Sequence, residues 1–112
     1  MEIEIRTQDG VKVVKLKGRL CMGLPLDQFN ATLAELLAQG HNKIILDLED
    51  MPAVDSSGIG MLMRHLTSAK QTGGAILLLK PTKFTLQTLK MVGLLNLFNT
   101  SDDLNEAIAS LR

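Results

Sequence analysis

The side chains best placed to do chemistry lie in one run, Glu49-Asp50-Met51-Pro52-Ala53-Val54-Asp55-Ser56-Ser57-Gly58-Ile59-Gly60. Asp55, Ser56 and Ser57 stand just before a segment of helical periodicity. The first backbone N–H groups of a helix lack intrahelical acceptors, and any of the three side chains can cap them. Gly58 and Gly60 are expected to allow close packing of that helix against the sheet. The physics that favours a cap also favours a phosphate. A serine hydroxyl at a helix N-terminus can carry one while free N–H groups and the helix dipole accommodate its charge. Such a serine can be modified without unfolding its domain, and the phosphate adds about −1.5 to −2 charges to any surface that docks there.

Other chemistries fail on spacing. A G-x-S-x-G nucleophile elbow requires glycine where Val54 or Asp55 stands. The two histidines, His41 and His65, are not coupled by spacing to a catalytic acid, so the chain is not expected to be an enzyme. Gly58-Ile59-Gly60 lacks the third glycine of a dinucleotide fingerprint, because Met63 occupies its place. His41, His65, Asp47 and Cys21 show no metal-ligand spacing, and neither metal nor cofactor is expected. Cys21 reads as a small apolar filler, with nothing nearby to stabilise a thiolate. Asp47 interrupts an apolar run and is expected to be a buried carboxylate that accepts hydrogen bonds from loop backbone, or else to shape the Ser56 loop.

The elements that must position this run follow from periodicity. Glu2 to Thr7 and Val11 to Lys17 alternate apolar and charged residues around Asp9-Gly10, a hairpin signal. Leu26, Phe29, Leu33, Leu36 and Leu37 share one helical face, with Pro25 near the start and Gly40 beyond the end. Lys43 to Leu48 and Ala75 to Leu79 are short apolar runs of the kind buried on both faces of a sheet. Between them Ile59, Leu62, Met63, Leu66 and Ala69 recur at helical spacing up to Gly73-Gly74. A third helix is expected to carry Phe84, Leu86, Leu89 and Val92, followed by a short edge strand at Leu97-Phe98. A last helix would carry Leu104, Ala107, Ile108 and Leu111, capped by Thr100, Ser101 or Asp102. Strands alternating with helices imply crossover connections and one α/β domain with a largely parallel sheet.

In such a sheet, ligands and partners meet the loops at the carboxyl ends of the strands, where the Asp55–Gly60 turn falls. On the helix after it, Met61 is expected on the side opposite Ile59, Leu62 and Leu66, exposed beside Arg64 and His65. Met22, Leu24, Met51 and Pro52 would add apolar area if their loops converge.

Composition narrows the partners. Over 112 residues, 12 Lys or Arg balance 12 Asp or Glu. The chain therefore has no basic excess for a phosphate backbone, and with aromatic residues at 3% it has little for base stacking, so no direct nucleic-acid partner is expected. One cysteine cannot form an internal disulfide, and the amino terminus lacks a secretory pattern, so a cytoplasmic location is expected. No apolar run approaches the roughly 20 residues needed to cross a bilayer, and no membrane insertion is expected.

The hairpin, Gly18-Arg19-Leu20, the KIILDL strand, Val54-Asp55-Ser56-Ser57-Gly58-Ile59-Gly60, Gly73-Gly74 and AILLL together resemble a STAS domain of the bacterial anti-anti-sigma factor type. The resemblance extends over residues 1 to 112. It implies a mixed, mostly parallel sheet of four to five strands with an N-terminal antiparallel hairpin and about four helices. It also implies partner switching: the protein binds an anti-sigma factor that is a serine kinase and so releases a sigma factor. Phosphorylation of the serine that follows Asp55, Ser56, would break the complex, and a serine phosphatase would reverse it. Met22, Met51, Pro52, Asp55, Ser56, Ser57, Met61 and Arg64 are the expected partner-binding residues. Many members carry an acid directly after Gly-x-Leu, where this chain has Cys21-Met22-Gly23. That departure leaves a second reading, a scaffold or transporter-associated subunit that binds protein without serine phosphorylation.

Overall fold

A computed structural model describes residues 1–112. The chain opens with β1 (Glu2–Gln8) and β2 (Val11–Lys17), paired antiparallel with Gln8 opposite Val11. Asp9 and Gly10 between them have φ of 53° and 77°, the positive values that a tight two-residue hairpin turn requires. Then follow α1 (Leu24–Ala38), β3 (Lys43–Asp47), α2 (Ser56–Gln71), β4 (Ala75–Leu79), α3 (Lys83–Met91), a short 3-10 turn at Leu95–Leu97, β5 (Asn99–Ser101) and α4 (Leu104–Leu111). The five strands form one sheet in chain order, and every pairing after the hairpin is parallel. This is the mixed, mostly parallel α/β architecture expected from the sequence.

The sheet is covered on both faces. Val14, Leu16, Ile44, Leu46, Ile76 and Leu78 point into a large core beneath α1, α2 and α3, which contribute Phe29, Leu33, Ile59, Leu62, Leu66 and Leu89. The alternate residues Val11, Val13, Ile45, Leu77 and Leu79 meet Ala107 and Ile108 of α4 on the other face. Ile44, Ile45 and Leu46 of β3 and Ile76 to Leu79 of β4 are consecutive apolar residues because both faces of these strands are buried.

Three expectations need correction in the last third of the chain. In α3 the buried pair is Thr85 and Leu89, whereas Phe84 and Val92 are more than half exposed. Thr85 can enter the core because its hydroxyl is paired with that of Thr82 at 3.1 Å, and Thr82 also caps the helix. The edge strand begins at Asn99: Leu97 ends the 3-10 turn, and Phe98 is the buried anchor between turn and strand. The cap of α4 is Asp103, whose Oδ1 accepts the Glu106 N–H at 3.1 Å.

Candidate functional site

The carboxyl ends of β2 and β3 lead into two loops that run side by side before α1 and α2. Gly18 N–H donates to the Asp50 carbonyl at 3.0 Å, Leu20 N–H to that of Ala53 at 3.0 Å, and Asp55 N–H to that of Leu20 at 3.1 Å. Leu20 and Val54 thus form a parallel bridge beyond the regular sheet. The two loops therefore converge, the condition under which Met22, Leu24 and Pro52 share one surface.

Asp55 is the cap of α2. Its Oδ1 accepts the Gly58 N–H at 2.8 Å and its Oδ2 accepts the Met22 N–H from the neighbouring loop at 2.9 Å. These two donors, Met22 first, hold the Asp55 carboxyl below the usual carboxylate range, outweighing its partial burial. Gly58 makes the approach possible, because a Cβ there would lie 2.7 Å from both the Leu20 carbonyl oxygen and Val54 Cγ2. Gly60 has nothing within 4 Å of such an atom, so close packing requires only the first of the two glycines.

Since Asp55 satisfies the helix, Ser56 is free of that task. It is the first residue of α2 and is exposed, while Ser57 is half-buried. Met22, on the loop that Asp55 holds, and Leu24, at the start of α1, are 72% and 67% exposed, and Pro52 is exposed on the other loop. Along α2 the row Ser56, Gly60, Arg64 faces outward. Arg64 stands about two turns, roughly 12 Å, from Ser56.

Met51 does not belong to this surface: it is fully buried in the large core. Its carbonyl marks the start of α3 instead, accepting the Thr82 hydroxyl at 3.5 Å. Met61 is half-buried against the core, and His65 is buried outright. Both corrections have one cause, because α2 packs on α1 as well as on the sheet and so buries a wider arc than one stripe. His65 Nε2 lies 3.0 Å from Asn30 Oδ1, and its ring meets that of Phe29 edge-on at 5.8 Å. Burial first, and the Arg64 charge second, push the His65 imidazole below its usual value.

Asp47 is half-buried, and its Oδ1 accepts a single backbone bond, from Glu49 N–H at 3.2 Å. Beside it Lys15 pairs with Asp50 at 3.3 Å, an ion pair that raises the Lys15 amine above its usual value. Cys21 is half-buried and unbridged, and no group of His, Cys, Asp and Glu side chains is arranged to hold a metal. No helix is long and apolar enough to cross a membrane. The contacts that periodicity did not reveal are those through backbone, Met22 N–H above all; the proximity of two loops at adjacent strand ends was the signal for them.

Known proteins resemble the whole chain. The family model described as STAS domain matches residues 2–107. A candidate anti-sigma factor antagonist of Thermotoga maritima is 31% identical over 78 residues, 70% of this chain and 69% of that protein. The crystal structure of a candidate anti-sigma factor antagonist from Thermotoga maritima superposes with a TM-score of 0.91 at 25% identity, covering 98% of this chain and 94% of that one. The Bacillus cell fate determinant SpoIIAA in its phosphorylated form shares the fold, with a TM-score of 0.76 at 23% identity over 99% of this chain and 100% of that one.

Proposed function

This chain belongs to the STAS-domain family, and from that premise we propose that it is an anti-sigma factor antagonist, a regulator that works by binding protein. Its partner is an anti-sigma factor that is also a serine kinase, and its docking surface comprises Met22, Pro52, Ser56, Ser57 and the outer face of α2 at Arg64. Phosphorylation at Ser56 ends the interaction, and a serine phosphatase restores it. The observation that carries this reading is the division of labour between neighbours: Asp55 caps α2, which leaves the exposed Ser56 hydroxyl available to a kinase.

The energetics suit a switch. A phosphate at the first turn of α2 is tolerated by the fold, because helix N-termini favour negative charge. The same group inside an interface meets desolvation and like-charge repulsion of several kcal/mol, and each 1.4 kcal/mol is about tenfold in affinity.

The test is incubation with the cognate kinase-type anti-sigma factor and ATP, followed by mass-spectrometric mapping and binding measurements. Phosphate on Ser56 is expected, with binding lost on phosphorylation and on Ser56→Glu but retained by Ser56→Ala. An unmodified Ser56 together with full binding by Ser56→Glu would overturn the switch and leave a scaffold that binds without phosphorylation.

A further inference from the structure

The neutral total charge conceals a strong segregation. From Ser56 to Ser101 the chain carries Arg64, Lys70, Lys80, Lys83 and Lys90 and not one Asp or Glu. In the middle of that stretch α3 turns an apolar row to solvent. Phe84 and Met91 are 54% and 87% exposed and stand seven residues apart on one line of the helix. Lys83 and Lys90, also seven apart and exposed, form a parallel row about a quarter-turn away. The ion pairs of the structure engage Lys15, Lys17, Lys80 and Arg112, so both lysines of this row are unpaired. Val92 and Leu97, 53% and 46% exposed, extend the apolar side beyond the end of the helix. An apolar row beside a cationic row, each about 10.5 Å from end to end, has the shape and charge of one side of a helix–helix contact.

We propose that the exposed face of α3 is a second docking surface, and that its occupant is an acidic amphipathic helix of a protein partner. Such a helix would lay apolar side chains on Phe84, Met91 and Val92 while its carboxylates meet Lys83 and Lys90. Charge selects this occupant over two others. A symmetric pairing with a second copy through α3 would oppose lysine to lysine, and like charges across an interface disfavour binding. A flat anionic membrane would also face acids at the same end of the sheet. Glu49 pairs with Lys80 there at 3.4 Å, and Asp102 directly follows Ser101, whose carbonyl accepts the Lys80 N–H at 2.7 Å. A single helix is narrower than a membrane surface and need cover only the two rows. The surface does not depend on Ser56 and is expected to work whether or not that residue is modified.

The test is an NMR titration of the isotope-labelled full chain with a synthetic amphipathic helical peptide that carries a row of glutamates beside a row of leucines. Saturable amide shifts along residues 83–97 are expected, weakening as salt rises. The double variant Lys83→Glu/Lys90→Glu and the single variant Met91→Ser should each weaken binding by about tenfold or more. All three positions are exposed, so the variants should fold, as their unperturbed spectra would show. Absence of saturable shifts, or equal binding by the lysine variant, would overturn the proposal. So would binding to phosphatidylglycerol vesicles without binding to the peptide, or self-association that Phe84→Ser abolishes.

Discussion

Asp55 and Met22 are joined across two loops by one hydrogen bond, the Met22 N–H donating to Asp55 Oδ2 at 2.9 Å. The other oxygen of the same carboxylate caps α2 through Gly58. One side chain therefore fixes the helix that presents Ser56 and the loop that presents Met22. A phosphate on the next residue would place its charge beside that carboxylate, on the face that this helix and loop present.

The two halves of this arrangement can be separated by Asp55→Asn. Asparagine is as good a cap as aspartate, so the bond to Gly58 survives, but its amide nitrogen cannot accept from Met22. Amide hydrogen exchange should accelerate at Met22 and remain slow at Gly58. The loss in stability should be about 1.5–3 kcal/mol, the worth of a hydrogen bond to a charged group. In the parent the contribution of Asp55 is present above the usual carboxylate pKa and is lost as pH falls through its lower folded-state value. Equal protection at Met22 in both proteins would mean that the carboxylate does not hold the loop.

Gly58 and Gly60 should respond in opposite directions to alanine. At Gly58 the added carbon would meet the Leu20 carbonyl oxygen and Val54 Cγ2, both 2.7 Å away, so the loops must part. Overpacking of that kind costs about 1–3 kcal/mol, more than the roughly 1 kcal/mol gained in helix propensity. Gly60→Ala meets nothing within 4 Å and should stabilise the chain by about 0.4–1 kcal/mol. Chemical denaturation of the two variants would check the contrast, and a stable Gly58→Ala would contradict the close approach.

How far the sequence revealed this arrangement depends on how many partners each residue has. Asp9-Gly10, KIILD and AILLL were legible because a turn's φ values or a two-sided burial leaves a local signature. Asp55 was legible as one of three possible caps, and its choice over Ser56 and Ser57 was settled by a donor, Met22 N–H, 33 residues away. Met51 and His65 were misplaced for the same kind of reason. Each follows a local pattern that suggests exposure, and each is buried by an element that sequence spacing does not bring near: the core beneath the loop for Met51, and α1 for His65. Phe84, expected in the core, is exposed while its neighbour Thr85 is buried, because a hydroxyl pair with Thr82 lets a threonine enter the core.

His65 should give stability a measurable slope with pH. Its folded-state value is depressed by burial and by Arg64, below an ordinary value of about 6.5. Between those two values the unfolded chain binds more protons than the folded one. Stability is therefore complete above about pH 6.5 and declines as pH falls toward the folded-state value. Thermal unfolding across this range should show the decline in the parent and a flatter profile in His65→Gln, which keeps a polar group opposite Asn30. Identical slopes would assign the pH dependence to other groups.

Met51 and Met22 lie in adjoining loops and should fail in different assays. Met51 is fully buried, so Met51→Ala leaves a cavity and should cost about 2–5 kcal/mol of stability. Met22 is 72% exposed and holds its place through backbone, so Met22→Ala should change stability by less than about 0.5 kcal/mol. If the proposed docking surface is right, the same Met22→Ala substitution weakens binding to the anti-sigma factor by about tenfold, because an exposed apolar side chain at an interface centre contributes about 1–2 kcal/mol. Calorimetry with the anti-sigma factor and denaturation of each variant separate the two effects. Undiminished binding by Met22→Ala would remove this loop from the docking surface, whatever becomes of Ser56.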